Sequence, residues 1–137
     1  MADPEKVTIK AIDWNPVILA MLYHPGLSPF GPLASADDIF GGCHLYLFEN
    51  ADQSAYVAVR PVALSAGIRL DLVGVKSTGQ KMCGVAFGEA IDHLATLHNA
   101  ELIVMTTKLS KVAKKCIANG YEITGAVLSK KVVTCGQ

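Results

Sequence analysis

The segment from Leu70 to Ile91 constrains the fold of this chain more than any other. Apolar residues from Ile68 to Val75 predict a strand, turn-forming residues follow, and an apolar-periodic stretch predicts a helix from about Lys81 to His98. Amides in the first turn of a helix have no partner inside the helix, and the helix dipole adds partial positive charge there. The segment therefore predicts an anion site, most simply for a phosphate group, where the strand meets the helix.

Small residues stand at this junction. Gly84 and Ala86 let a bulky anion approach the backbone, and Lys81 adds a positive charge. Gly79 and Gly84 have the spacing of the two P-loop glycines, but the Lys and Ser or Thr of that motif do not follow, and no G-x-G-x-x-G fingerprint occurs. In a purely structural alternative, Gly84 and Gly88 only allow the helix to lie close to a sheet.

Length and composition exclude several classes of protein. The chain has 137 residues, which predicts a single domain spanning residues 1–137. No apolar run approaches the roughly 20 residues that cross a membrane, and no signal peptide is evident, so a cytoplasmic location and no membrane partner are expected. The formal net charge is +0, which argues against nucleic-acid binding. The 51% hydrophobic content fits either a buried core or an apolar face for a homodimer.

The cysteines and histidines show no metal-binding pattern. The four cysteines form no C-x-x-C pair, so free thiols are expected. His93 and His98 are spaced to diverge on a helix. Cys43 and His44, adjacent on a strand, are expected on opposite faces of a sheet. We therefore expect no metal site. Cys83 stands at a predicted helix N-terminus, which lowers a thiol pKa, so a thiol-based function is a separate hypothesis.

Periodicity and turn residues give the order of elements. The prediction is a strand at Val7–Ile12, a short helix capped by Asp13 or Asn15, a helical turn at Ala36–Phe40, strands at Cys43–Phe48, Ser54–Arg60 and Ile68–Val75, a helix at Lys81–His98, a strand at Glu101–Thr106, a helix at Leu109–Asn119, and strands at Tyr121–Leu128 and Lys130–Thr134. Pro61 is expected to end its strand or to mark a sheet edge. The fold class is α/β: a single domain with a mixed, mostly antiparallel sheet flanked by helices, and one parallel crossover.

This order of elements, with the motifs inside it, resembles the GNAT superfamily of acyl-CoA N-acyltransferases over nearly the whole chain. The family loop Gln/Arg-x-x-Gly-x-Gly/Ala is similar to Lys81-Met82-Cys83-Gly84-Val85-Ala86, with Lys in first place. The resemblance implies that the amides of these six residues hold the diphosphate of coenzyme A. It also implies that the backbone of the preceding strand, at Val73, Gly74 and Val75, pairs with the pantetheine arm.

A second family marker is a helix that ends in Gly-Phe, with a Tyr four residues before the Gly. Gly120-Tyr121 resembles the Gly-Phe pair, and Cys116 occupies the Tyr position. The resemblance implies that Cys116 reprotonates the departing CoA thiolate, whereas the alternative for this thiol is simple packing.

The resemblance also implies a base and an oxyanion donor. Asp71 is the carboxylate of the Ile68–Val75 strand and the candidate general base; in the alternative it only pairs with Arg69 or Arg60. The amide of Val73 is the candidate donor to the developing oxyanion.

As a function, the resemblance implies transfer of an acetyl group from acetyl-CoA to the amine of an unknown small molecule or protein. Aromatic residues after the first strand either line the acceptor pocket or form satellite core: Trp14, Tyr23 and Phe30, with His24 among them. The alternative function is a catalytically degenerate GNAT-fold protein, of a kind found in bacteria and phages, that acts as an acyl-CoA sensor or as a structural or interaction module.

Overall fold

The computed structural model describes residues 6–24, 33–79, 85–106, 114, 116–118, 120–125, 128 and 130. The elements defined in this part are β1 (Thr8–Ile12), α1 (Pro16–Leu22), α2 (Ala36–Phe40), β2 (His44–Glu49), β3 (Gln53–Leu64), β4 (Gly67–Gly79), α3 (Val85–Leu97) and β5 (Leu102–Val104). The strands form a five-stranded sheet in the order β1-β2-β3-β4-β5. Strands β1 to β4 pair antiparallel, and β5 pairs parallel to β4. This confirms an α/β fold with a mixed, mostly antiparallel sheet.

Side-chain caps begin the two short helices. The Asn15 side chain accepts a hydrogen bond from the Ile18 amide at 2.9 Å, so Asn15 rather than Asp13 is the cap of α1. Ser35 and Asp38 form a reciprocal capping box at the start of α2. The backbone and side-chain hydrogen bonds from Ser35 lower the pKa of the Asp38 carboxyl. These local signals explain why both helices begin where the sequence predicts.

Helices cover both faces of the sheet. On one face, α1 and α2 pack against β2 and β3 in a cluster formed by Ile18, Leu22, Phe40, Leu45 and Ala58. On the other face, α3 packs over a larger cluster formed by Phe48, Ala55, Val57, Val59, Leu70, Leu72, Ala90, Ile91, Leu94 and Ala95. Consecutive residues 57–59 of β3 are all 0% exposed, because this strand is covered on both sides.

The buried stripe of α3 is narrow. Ala90, Ile91, Leu94 and Ala95 are buried, and the polar residues on the opposite side of the helix are exposed. The apolar residue at each end of the helix, however, faces solvent: Val85 is 70% exposed and Leu97 is 59% exposed. The first residue of α3 is therefore open to solvent.

Several elements differ from the prediction; β4, for example, extends four residues beyond the predicted end at Val75, to Gly79. Strand β3 continues through Pro61 to Leu64, and this is tolerated because β2 pairs with β3 only as far as Val59, so Pro61 lies at an edge. Strand β5 is shorter than predicted, and its first residue is exposed. Residues 121–125 form no strand, which makes the prediction there wrong, and most of the predicted last strand lies outside the described residues.

In the part of the chain described here, no helix combines the length and the apolar character that a membrane crossing requires.

Candidate functional site

Strand β4 is paired with β5 only in the first part of its length. The two strands pair over three positions, from Arg69 opposite Leu102 to Asp71 opposite Val104. Beyond them β4 continues to Gly79, still paired with β3 on its other side. From residue 72 to 76, the β5 side of β4 is thus an edge with no strand partner among the described residues. Such an edge presents main-chain donors and acceptors to a ligand.

A β-bulge lies at the same point. Ala58 pairs with Gly74 and Val59 pairs with Leu72, so Val73 is an extra residue on β4. A bulge bends its strand and redirects the neighbouring backbone, and bulges are frequent beside active sites. Val73 packs against the α1–α2 cluster, and a Cβ on Gly74 would meet Phe40 on the same side. The bulge therefore turns two successive residues, Val73 and Gly74, toward one face. It lies two residues beyond Asp71, the last residue of β4 that pairs with β5.

The N-terminus of α3 follows β4 along the chain. Val85 is the first described residue of this helix. The first-turn amides of a helix and its dipole favour an anion. The predicted cradle residues Lys81, Met82, Cys83 and Gly84 lie outside the described residues, and so does the thiol of the Cys83 hypothesis.

Asp71, the candidate base, is held by Arg69. The guanidinium donates to both carboxylate oxygens, with Nε–Oδ1 at 2.8 Å and Nη2–Oδ2 at 3.3 Å. The Asp71 side chain is 16% exposed. Its alternation with Leu70 and Leu72, which are buried under α3, places it on the other face of β4, the face of Val73. Of the alternatives drawn from the sequence, the pairing with Arg69 is the one found. Arg60 instead donates to the carbonyls of Ile39 and Gly41.

Cys116 lies in the last turn of the helix predicted at Leu109–Asn119, of which residues 114 and 116–118 are described and helical. The Tyr121 amide donates to the Cys116 carbonyl at 3.0 Å and the Gly120 amide donates to the Ile117 carbonyl at 3.2 Å. This is a Schellman ending, with Gly120 at a φ of 94°. The predicted helix stop is confirmed. The Cys116 thiol is free and half-buried, and burial raises its pKa, so it is protonated at neutral pH.

Tyr121 is close to this thiol and to α3. Burial is the main cause that raises the pKa of Tyr121, and the charges of Cys116 and Asp92 raise it further. The helix end at Gly120 and Tyr121 therefore lies near Asp92 of α3.

Two of the aromatic residues after the first strand, Trp14 and Tyr23, pack against the α1–α2 cluster, which is the satellite-core alternative. The Trp14 ring contacts Phe40 at 5.5 Å, and its Nε1 donates to the Cys43 carbonyl at 3.0 Å. The Tyr23 hydroxyl donates to the Ala34 carbonyl at 2.8 Å. His24 is exposed, and Phe30 lies outside the described residues.

The structure also assembles a cluster that sequence reasoning missed. His44 and Tyr46 alternate along β2 on the face covered by α3, and His98 follows the last residue of α3. Tyr46 Oη and His98 Nε2 are 2.8 Å apart, and the rings of His44 and His98 are centred 5.2 Å apart. Burial and the nearby His44 lower the pKa of His98, so its ring is neutral at pH 7. The alternation of His44 and Tyr46 along β2 can be seen in the sequence, but their partner His98 is 52 residues from Tyr46 along the chain.

Cys43 and His44 lie on opposite faces, as predicted: Cys43 packs against the α1–α2 cluster, and His44 contacts His98. Burial is the main cause that raises the pKa of the Cys43 thiol. Within the described ranges, no three or more His, Cys, Asp or Glu side chains come together in a way that would hold a metal ion.

Comparison with known proteins gave no match to this chain, whether against protein-family models, curated proteins or solved structures.

Proposed function

We propose that this protein is a GNAT-like acyl-CoA N-acyltransferase that uses acetyl-CoA. The proposal is supported above all by one observation: the pairing of β4 with β5 ends at Asp71, next to the Val73 bulge, and β4 leads along the chain to α3, whose N-terminal dipole favours an anion. A thioester with an extended amide-bearing arm and a diphosphate matches both features. The arm pairs with the edge of β4 at Val73, Gly74 and Val75, and the diphosphate binds at the start of α3.

In this proposal the chain contributes mainly orientation and electrostatics. The backbone of Val73, Gly74 and Val75 binds the pantetheine arm, and the amides from Lys81 to Ala86 bind the diphosphate. An acceptor amine attacks the thioester carbonyl, and the Val73 amide stabilises the developing oxyanion. Asp71, on the same face as Val73, takes the proton of the amine, and Cys116 protonates the departing thiolate.

Acetyl-CoA binding tests the proposal directly. Acetyl-CoA at ten times its dissociation constant should raise the free energy of unfolding by about 1.4 kcal/mol, because it binds only the folded chain. Thermal or denaturant unfolding with and without the ligand measures this. S-acetyl-N-acetylcysteamine, which has the thioester but no diphosphate, is the control and should stabilise much less. Equal stabilisation by both compounds, or none by acetyl-CoA, would remove the proposal.

The role of Cys116 has a pH signature. Its pKa lies above the ordinary value of 9.0, so the wild-type transfer rate should fall as the pH rises through that pKa and the thiol loses its proton. With Cys116→Ser the alkaline limb should disappear, since the Ser hydroxyl does not titrate there, and kcat should fall about 100-fold. Steady-state rates across an amine panel at pH 7 to 10 measure both effects. Unchanged rate and profile in Cys116→Ser and Cys116→Ala would leave this thiol with a packing role.

The second candidate is an acyl-CoA-binding protein without transfer chemistry. The Arg69–Asp71 ion pair favours it, because both oxygens of this carboxylate already accept hydrogen bonds from the guanidinium and are less available to take a proton from an amine. Stabilisation by acetyl-CoA without turnover on any amine, and without hydrolysis of the thioester, would support this candidate over the first.

A further inference from the structure

The cluster under the C-terminal end of α3 is independent of the proposed acyl-CoA site. Alternate residues of β2 face α3 in a row: Phe48 contacts the ring of Phe87 at 5.7 Å, Tyr46 contacts His98 edge-on at 5.9 Å, and His44 contacts His98 at 5.2 Å. Since α3 rises about 1.5 Å per residue, its C-terminal end lies roughly 20 Å from the Val85 amide. No step proposed for acetyl transfer uses this cluster.

The position of His98 is fixed by the helix end and by Tyr46. Its amide donates to the carbonyls of Leu94 and Ala95 at 3.2 Å, and its Nε2 lies 2.8 Å from Tyr46 Oη. With Nε2 engaged by the phenol, Nδ1 is the ring nitrogen left to bind something else. When the Nε2 proton points to Tyr46, this tautomer leaves a lone pair on Nδ1.

We propose that His44 and His98 form a two-histidine site for a divalent transition-metal ion of the zinc and nickel class. Imidazole is the preferred protein ligand of these ions. An ion bound at about 2.0–2.1 Å by one nitrogen of each ring, with a ligand–metal–ligand angle of about 90–110°, places the ring centres roughly 4.5–5.2 Å apart, and the observed separation is 5.2 Å.

In this proposal Tyr46 is the hydrogen-bond partner that orients the metal-binding ring of His98. His98 binds the ion through Nδ1 and donates its Nε2 proton to Tyr46 Oη, which fixes the ring orientation.

The remaining coordination positions are open to solvent. His44 is exposed and lines an open cleft of about 200 Å³ between the ends of β1 and β2, together with Tyr46 and Asp13. The cleft has room for water ligands. Because the described residues offer two histidine ligands and no third, the ion should bind reversibly rather than as a structural element.

The test is a calorimetric titration of the chelator-treated full chain with NiCl₂, repeated with ZnCl₂, with MgCl₂ as the hard-cation control. One Ni²⁺ per chain should bind, and Mg²⁺ should not. His44→Ala, a substitution of an exposed side chain, should weaken Ni²⁺ binding at least tenfold. Tyr46→Phe keeps the ring and removes only the hydroxyl, and it should weaken binding about tenfold.

His93→Ala is the matched control, since His93 is an exposed histidine on α3 outside the cluster. It should leave Ni²⁺ affinity unchanged. Absence of Ni²⁺ and Zn²⁺ binding would overturn the proposal, as would equal losses in His44→Ala and His93→Ala. Neither outcome bears on acetyl-CoA binding, which is measured at the other end of α3.

Discussion

Val85→Glu should weaken acetyl-CoA binding at least tenfold while the fold becomes slightly more stable. A carboxylate in the first turn of a helix gains about 0.3–1 kcal/mol from the dipole, and Val85 is 70% exposed, so no core contact is lost. The same carboxylate repels a diphosphate at the α3 N-terminus. At about 6 Å and an effective dielectric constant near 20, this repulsion is roughly 2–3 kcal/mol, and 1.4 kcal/mol is already tenfold in affinity.

Two control variants separate the effect of the charge on acetyl-CoA binding from the effects of side-chain size and of position on α3. Val85→Gln has the size of the Glu variant without its charge, and it should bind acetyl-CoA nearly as the wild type does. Leu97→Glu puts the charge on the last residue of α3, where the side chain is 59% exposed, and it should leave affinity unchanged while slightly lowering stability. Isothermal titration with acetyl-CoA and a urea melt measure both quantities. Equal affinity in the Glu and Gln variants of Val85 would show that no diphosphate binds there.

Much of the sheet could be predicted because its determinants are local. Alternation along β2 and β3, the short turn between β3 and β4, and the polar caps Asn15 and Ser35 each act within a few residues. The effect of Pro61 on its strand could not be decided locally. A proline is excluded from a position that is paired on both sides, but only the length of β2 shows that β3 has no β2 partner at Pro61.

The features that define the candidate site are not local. The Val73 bulge exists only in the register between two strands, and the separation of β4 from β5 depends on how far β5 extends. The sequence suggested a phosphate site from loop composition, but it gave no indication that the strand edge and the bulge coincide. The His44–His98 contact joins residues far apart in the chain, which spacing rules for metal motifs do not cover.

Gly74→Val should lower the free energy of unfolding by about 2–3 kcal/mol. A Cβ at this position would lie 3.0 Å from Cε1 of Phe40 and 3.5 Å from Cδ2 of Leu22, and the two methyl groups of Val would press further into the same cluster. Phe40 is 7% exposed and belongs to α2, so relief requires α1 and α2 to move away from the sheet beside the bulge. Denaturant unfolding at equilibrium measures the change.

Gly67→Val, on the same strand, is the matched control. There the added Cβ would meet Glu101 Oε2 at 2.9 Å, but this atom is the end of a flexible side chain that can rotate away. The control should therefore change stability by less than about 1 kcal/mol. If the two variants lost stability equally, the cost would come from placing a β-branched residue at a glycine of β4. A loss confined to Gly74→Val would instead identify close contact between the bulge and α2 as the reason that no side chain stands at residue 74.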